Sequence, residues 1–330
     1  MKTVIAKAFL YCLSTIFTIF FILAGCSAEG NAPTKKDKAE LKEKTIKTIR
    51  IGYQKNGPLV ILKSLGSLEE RLGEMGIEVE WKEFQAGPAL VEALNAGTID
   101  FGRTGDSPPI FAQAADAPFV YIAAGKPKFN GSAILVKENS KIKSVKELKG
   151  KTVGFAKGSS SHYLLIKGLE KAGLKYSDIE PAFLAPGDGR VAFEKGNIDA
   201  WVVWDPFTSA AEVGSSARML VNGEGLTTDR DFFLASTAFA KEHPKIIDQI
   251  IEEIQRSSDW ANANHSDLVK MLAPILKIDE KSLEIAVKRR VYGVDEINQK
   301  IIGEQQEIAD TFFELGIIPK KIDVRDAMGK

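Results

Sequence analysis

One stretch is written twice in this chain. Ala93-Leu94-Asn95-Ala96-Gly97-Thr98-Ile99-Asp100 leads on to Asp106. Ala192-Phe193-Glu194-Lys195-Gly196-Asn197-Ile198-Asp199 leads on to Asp205-Pro206, with the same spacing from Gly to Ile to Asp to second Asp. Upstream, Ile51-Gly52-Tyr53-Gln54-Lys55 is echoed by Val153-Gly154-Phe155-Ala156-Lys157. Two sets in the same order predict two similar α/β lobes. Each opens on a strand-helix unit and later carries a helix-Gly-strand-Asp unit. The 330 residues suffice for two such domains. Lobes of this kind hold ligands in the crevice outside the carboxyl ends of their strands.

The first copy ends in Thr104-Gly105-Asp106-Ser107-Pro108-Pro109, between a short apolar run and an Ala-rich helix pattern. Asp106 is expected at the N-cap, with both prolines in the first turn, where helical N–H groups have no intrahelical partner. A glycine there lets a ligand approach the backbone. Free N–H groups and the helix dipole favour an anion. Taken alone, the stretch also fits an ordinary capped turn.

Residues 1–25 carry Lys2 and Lys7 and then a mostly apolar run, the shape of a secretory signal. The run ends in Leu23-Ala24-Gly25-Cys26, which resembles the bacterial lipobox and predicts a lipidated Cys26. An uncleaved membrane anchor is the other reading. Residues 26–47 are polar and are expected to form a flexible stalk. Lobe 1 is expected over 48–130 plus 237–330, and lobe 2 over 131–236. Residues 126–140 should carry the chain outward, Phe232–Ser236 should carry it back, and two crossings make a hinge. From Pro244 onward the pattern is mostly helical, with a kink or break expected at Pro274. Ser144-Val145-Lys146-Glu147 fits a capping box.

Charge and cysteine content exclude several classes. Beyond residue 25 the 44 basic residues fall by two, to 42, against 44 acidic ones. Nucleic acid is not an expected partner, and an anionic ligand must be held by local donors. The two cysteines, Cys12 and Cys26, both precede the folded body, which rules out a disulfide framework, a thiolate metal site or a cysteine nucleophile there. Three histidines make a polyhistidine metal site a poor fit. No cofactor is implied, and a monomer is expected.

Gly158-Ser159-Ser160-Ser161-His162 is the strongest local site signal. Three hydroxyls and several free N–H groups meet at a helix N-terminus, which suits a tetrahedral oxyanion. The phosphate-loop pattern is absent, and plain N-capping would need one serine only. His162 has three readings: an anion donor, a solvated first-turn side chain, or the partner of a serine nucleophile. The last lacks a Gly-x-Ser-x-Gly elbow and an assignable carboxylate. Asp106 and Asp205 fit helix capping with ligand contact better than acid–base catalysis. Trp201 and Trp204 point to opposite faces at strand spacing, one into the core and one, Trp204, to a pocket wall. Arg190 is one donor in a strand-to-helix loop.

Together these residues resemble the aliphatic sulfonate-binding lipoproteins of bacterial ABC importers, over about Thr48 to Arg325. The matching stretches include Phe84-Gln85-Ala86-Gly87-Pro88, Thr104–Ala114, Lys157–Leu165 and Trp204-Asp205-Pro206. The resemblance implies an α/β, two-lobed type II periplasmic-binding-protein fold. It implies an alkanesulfonate ligand, an ABC permease with its ATPase as partners, and no catalysis. It places Gln54, Thr104, Gly105, Asp106, Ser159, Ser160, His162, Trp204 and Asp205 at the ligand. Tyr53 and Phe129 are further wall candidates, and Arg103 has no assigned role. Taurine, nitrate or a pyrimidine precursor are alternative ligands, and an enzyme on the same fold is a third class.

Overall fold

The structure is a computed structural model that describes residues 46–329. Cys26, the signal segment and nearly all of the stalk lie outside the described residues. The first sheet holds β1 (Thr48–Tyr53), β2 (Glu78–Glu83), β3 (Phe101–Gly105) and β4 (Phe119–Gly125). The second holds β5 (Ser132–Lys137), β6 (Thr152–Phe155), β7 (Glu180–Phe183), β8 (Ala200–Trp204) and β9 (Ala217–Asn222). The chain then returns to the first sheet with β10 (Asp231–Ser236) and β11 (Val294–Asp295). The strand orders are β11-β4-β10-β3-β1-β2 and β7-β6-β8-β5-β9.

The repeat is a packing device. A Cβ on Gly52 would lie 2.6 Å from the Ile99 Cδ1, and one on Gly154 would lie 2.5 Å from the Ile198 Cδ1. Each isoleucine therefore seats on bare backbone of the neighbouring parallel strand, where any side chain would push the isoleucine tip aside. Each following aspartate ties down the start of that strand. Asp100 accepts from the Arg50 N–H at 2.8 Å, and Asp199 from the Thr152 N–H at 2.9 Å. Gly97 and Gly196 end the preceding helices at φ 67° and 74°, the left-handed region.

The outward crossing runs through 126–131 and the return through 223–230. Lys128 N–H donates to the Thr228 carbonyl at 3.1 Å, and Gly223 N–H to the Phe129 carbonyl at 3.0 Å, so the crossings are laced together. Phe232–Ser236, expected as the return crossing, is instead a strand between β3 and β4. Phe232, Phe233, Leu234 and Ala235 are all buried, and a continuous apolar run is what a strand covered on both faces requires. The predicted capping box is a single 3₁₀ turn, Val145–Leu148, in which Glu147 accepts from the Lys143 N–H at 2.9 Å and from the Ser144 hydroxyl at 3.3 Å, while the Ser144 side chain caps no N–H.

The C-terminal helices pack largely on the first sheet. Ile250, Leu268, Leu283 and Val287 share a core with Ile49, Ile51, Phe101 and Phe233. The helix His265–Leu276 continues through Pro274. A further helix, Glu280–Lys288, starts at Asp279, whose side chain accepts from the Ser282 N–H at 2.9 Å. The sequence reading did not resolve that helix.

Candidate functional site

The carboxyl ends of β1, β3, β6 and β8 converge between the sheets on a polar cavity of about 300 Å³. β1 delivers Gln54 and Asn56, and β3 delivers Arg103, Thr104 and Gly105. The turn after β6 delivers Ser159 and Ser160, β8 delivers Trp204, and the crossings add Lys128 and Asp229. Gly105 gives the Ser160 side chain its place, since a Cβ there would stand 2.2 Å from the Ser160 Oγ and displace it.

Arg103 dominates the electrostatics. It is 1% exposed inside a buried strand. Its Nη2 donates to Asp231, and its Nη1 donates to the Asn56 Oδ1 at 2.8 Å and the Gln54 Oε1 at 3.3 Å. Its Nε has no partner among the described residues. Lys128 pairs with Asp229 and lies 3.6 Å from Asp231, and Arg290 donates to the Asp231 Oδ2 at 2.9 Å. Three cations thus share two carboxylates, and the buried Asp106 carboxyl, which feels both Lys128 and Asp229, stands beside them as a third acidic group. Burial alone would push the Asp231 carboxyl up, yet Arg103, Lys128 and Arg290 hold it well below the usual carboxylate range. Burial pulls the Arg103 guanidinium down against the pull of Asp231. Buried polar donors cost free energy unless they are hydrogen-bonded, and a bound anion supplies acceptors to donors left over. The unpartnered Arg103 Nε and the unpartnered Thr104 Oγ1, both buried, are polar atoms left over for one.

The serine turn contributes differently from expectation. The Ser159 hydroxyl donates to the Ala156 carbonyl at 2.7 Å, and Ser160 donates to the Asp106 carboxylate. Ser161 is fully buried and does not line the cavity. The hydroxyls thus shape the turn. The N–H groups of Ser160 and Ser161 remain in the first helical turn, where a helix offers no carbonyl.

Of the sequence-predicted site residues, Gln54, Thr104, Gly105, Ser159, Ser160 and Trp204 meet at this cavity. Asp106 lies one layer behind it. It occupies the N-cap position expected, but its backbone is already helical at φ −69° and its side chain makes no cap bond. Its Oδ1 accepts from the Ser107 Oγ at 2.9 Å, and burial, then Asp229, pushes its carboxyl up to about 6. Asp205 lies on an adjoining chamber, accepting from the Ser209 N–H at 2.9 Å. Burial pushes it up to about 6 against Arg289.

His162 stands apart. It stacks on Phe155 at 4.8 Å between ring centroids and lies 5.3 Å from the rings of Tyr176 and Phe312. Burial, then Lys157, pushes its pKa down to about 3, so it is a neutral core side chain. Trp201 is the core tryptophan, against Phe193, and Arg190 pairs with Glu194 at 2.8 Å. Tyr53 packs on Trp81, and Phe129 lines a separate cavity. Sequence reasoning missed the roles of Asn56, Arg103, Lys128, Asp229, Asp231 and Arg290. The one available signal was Arg103, a charge within an otherwise buried strand.

Two α/β lobes joined by two crossings, with a polar cavity at the strand ends, define a type II periplasmic-binding-protein fold. The chain belongs to the NMT1/THI5-like family, whose model matches residues 72–267. It is 40% identical over 285 residues to an Escherichia coli K12 protein named for binding aliphatic sulfonates, covering 86% of this chain and 89% of that one. The crystal structure of the E. coli periplasmic aliphatic sulphonate binding protein SsuA matches with a TM-score of 0.79 and 39% identity, over 87% of this chain and 93% of that one. The alkanesulfonate-binding protein SsuA of Xanthomonas axonopodis pv. citri, bound to MOPS, matches with a TM-score of 0.83 and 38% identity, over 86% and 98%.

Proposed function

We propose that this protein captures aliphatic sulfonates between its lobes outside the cytoplasm and delivers them, unchanged, to an ABC permease and its ATPase. The observation that carries the reading is Arg103, buried with an unpartnered Nε next to the unpartnered Thr104 Oγ1, on a cavity that Lys128 also lines. A sulfonate is a fixed monoanion with three acceptor oxygens. Arg103, Lys128, the Thr104 hydroxyl and the N–H groups of the Ser160–Lys171 helix supply donors on several sides. None of them requires proton exchange with the ligand. Trp204, also on the cavity, supplies an apolar wall for the organic part.

The reading extends to location and motion. The lipobox-like Leu23-Ala24-Gly25-Cys26 supports a lipid anchor on Cys26, with residues 27–47 as a tether. The lobes, 48–130 with 237–330 and 131–236, are proposed to close about the crossings as a monomer, with β10 counted in lobe 1. Ligand then shifts the population toward the closed form.

Calorimetry with matched alkanesulfonates and carboxylates tests the function. Sulfonates should bind about one to two decades more tightly, since a donor left unpaired by a two-oxygen ligand costs about 1–3 kcal/mol. Trp204→Ala should weaken butanesulfonate more than methanesulfonate, because it removes wall and not donors. Equal affinity for propanesulfonate and butyrate would reject the reading. Tight taurine binding with weak alkanesulfonate binding would move the ligand to taurine, the alternative on this fold.

A further inference from the structure

Beside Trp204 the polar cavity adjoins a second, mostly apolar chamber. Asn56, Lys128, Trp204 and Asp229 line both spaces, so the two adjoin along these four residues. One wall of the chamber is aliphatic: Leu272 and Leu276 from one helix, and Leu283, Ala286 and Val287 from the next. Trp204 and Pro206, from the other sheet, face them across the gap. The cations at its margin are already engaged. Arg289 donates to Glu212 at 2.7 Å and reaches Asp205 at 3.5 Å. Arg290 is held by Asp231 and lies over the Tyr292 ring at 4.7 Å.

We infer that this chamber is the tail subsite of the protein: an alkanesulfonate seated with its charged group beside Arg103 threads its alkyl chain past Trp204 between the His265–Leu276 and Glu280–Lys288 helices. The inference rests on the sulfonate reading of the polar cavity. A further space beside that cavity is lined by Phe84, Phe207, Leu276 and Ile278, with Lys55, Glu83, Arg190 and Lys277 set among them. Of those, Lys55, Glu83 and Arg190 are well exposed to solvent. An alkyl chain laid there would meet apolar side chains interrupted by exposed charges, and would gain less than against an unbroken aliphatic wall. In the chamber it replaces water against five aliphatic side chains. The aliphatic wall also explains a division of labour. Trp204 forms the bend between head and tail, and the length of tail accepted is set by Ala286 and Val287, which no motif of the sequence marks.

The experiment is calorimetry on the wild-type protein with methane-, butane-, hexane- and octanesulfonate, repeated on three variants. In the wild type, affinity should rise about fourfold per methylene while the chain enters the chamber, and then level off. Ala286→Leu fills the chamber and should weaken hexanesulfonate at least tenfold more than methanesulfonate. Val287→Ala enlarges it and should move the levelling point to a longer chain. Arg190→Ala, in the further space, should leave the slope of affinity against tail length as in the wild type. Measurable methanesulfonate binding with no rise along the series overturns the tail subsite and leaves the sulfonate site standing. So does a slope lost in Arg190→Ala. Failure of the folded wild type to bind any of the four, methanesulfonate included, overturns both. Should Ala286→Leu not fold, the wild-type series and Val287→Ala still decide.

Discussion

Leu90 and Gly102 in the first lobe stand where Gly189 and Trp201 stand in the second, counting from the shared Gly-x-Ile-Asp. A Cβ on Gly102 would lie 2.8 Å from the Leu90 Cδ2, and one on Gly189 would lie 2.6 Å from the Trp201 Nε1. The same space between helix and strand is filled from the helix in one lobe and from the strand in the other. Further along, Arg103 stands opposite Val202, and Gly105 opposite Trp204. The frame of the repeat is therefore common, and the functional load is split. One lobe brings the charge and a bare backbone, and the other brings the aromatic wall. At the final aspartate the lobes differ again. Asp205 accepts from the helix N–H of Ser209, whereas Asp106 takes a proton donor from Ser160 of the other lobe.

The most damaging way to erase that difference is Arg103→Val, which writes the second lobe's residue into the first. Asp231 would keep Lys128 and Arg290 but lose its bidentate-capable partner in a buried site, at a cost of about 3 kcal/mol. Sulfonate affinity should fall by more than about a hundredfold, with loss of a buried charged donor. Urea unfolding and calorimetry read the two effects separately. Arg103→Lys should recover more of the stability than of the affinity, since an ammonium keeps the charge and loses the fork. Binding within threefold of wild type in Arg103→Val would dissolve the contrast between the lobes.

The volume exchange can be sharpened next. Trp201→Gly alone should cost about 3–5 kcal/mol by leaving a cavity. Gly189→Leu alone should cost about 1–3 kcal/mol by overfilling the same place. The double variant copies the first lobe's arrangement. It should be more stable than the summed losses by at least about 1 kcal/mol, the coupling expected of residues that share one space. Additive losses would mean that the two lobes only resemble each other in outline.

What the sequence disclosed follows this same line. The frame was legible because Gly-x-Ile-Asp recurs at fixed spacing and each member has a local job: end a helix, seat on a glycine, tie down a strand. The charge cluster was not, because Arg103, Lys128, Asp229, Asp231 and Arg290 come from β3, the two crossings, β10 and a late loop. Only the folded chain assembles them. Phe232–Ser236 misled as a crossing because it follows the true crossing directly and its apolar run has no alternation. His162 was placed beside the ligand by its closeness to Ser160. Two residues on a helix are about 200° apart, so a serine facing the cleft turns His162 toward the core.

That geometry gives the smallest expected effect, and a pH test of it. Pro58 begins the helix after β1 and Ser160 the helix after β6, its counterpart in the repeat, which puts His162 where Val60 stands. Both are buried, at 1% exposure. Burial, and then Lys157, lowers the folded-state pKa of His162 from 6.5 to about 3. Between those values the unfolded chain binds a proton that the folded chain does not. Stability must therefore fall as pH drops from about 6.5 toward about 3, by at most about 1.4 kcal/mol per pH unit from this one group. Asp106 and Asp205, raised to about 6, act in the opposite sense, since the folded chain binds their protons first as pH falls below about 6. They are present in both proteins and cancel in a comparison. His162→Val copies the first lobe and removes the titration. Its stability at pH 7 should be lower, through lost stacking on Phe155, but between pH 6 and 4 its curve should fall less steeply than that of the wild type. Urea unfolding at half-unit intervals measures the two slopes. Parallel curves would show that His162 titrates alike in the folded and unfolded chains, and so that it is not the neutral counterpart of Val60.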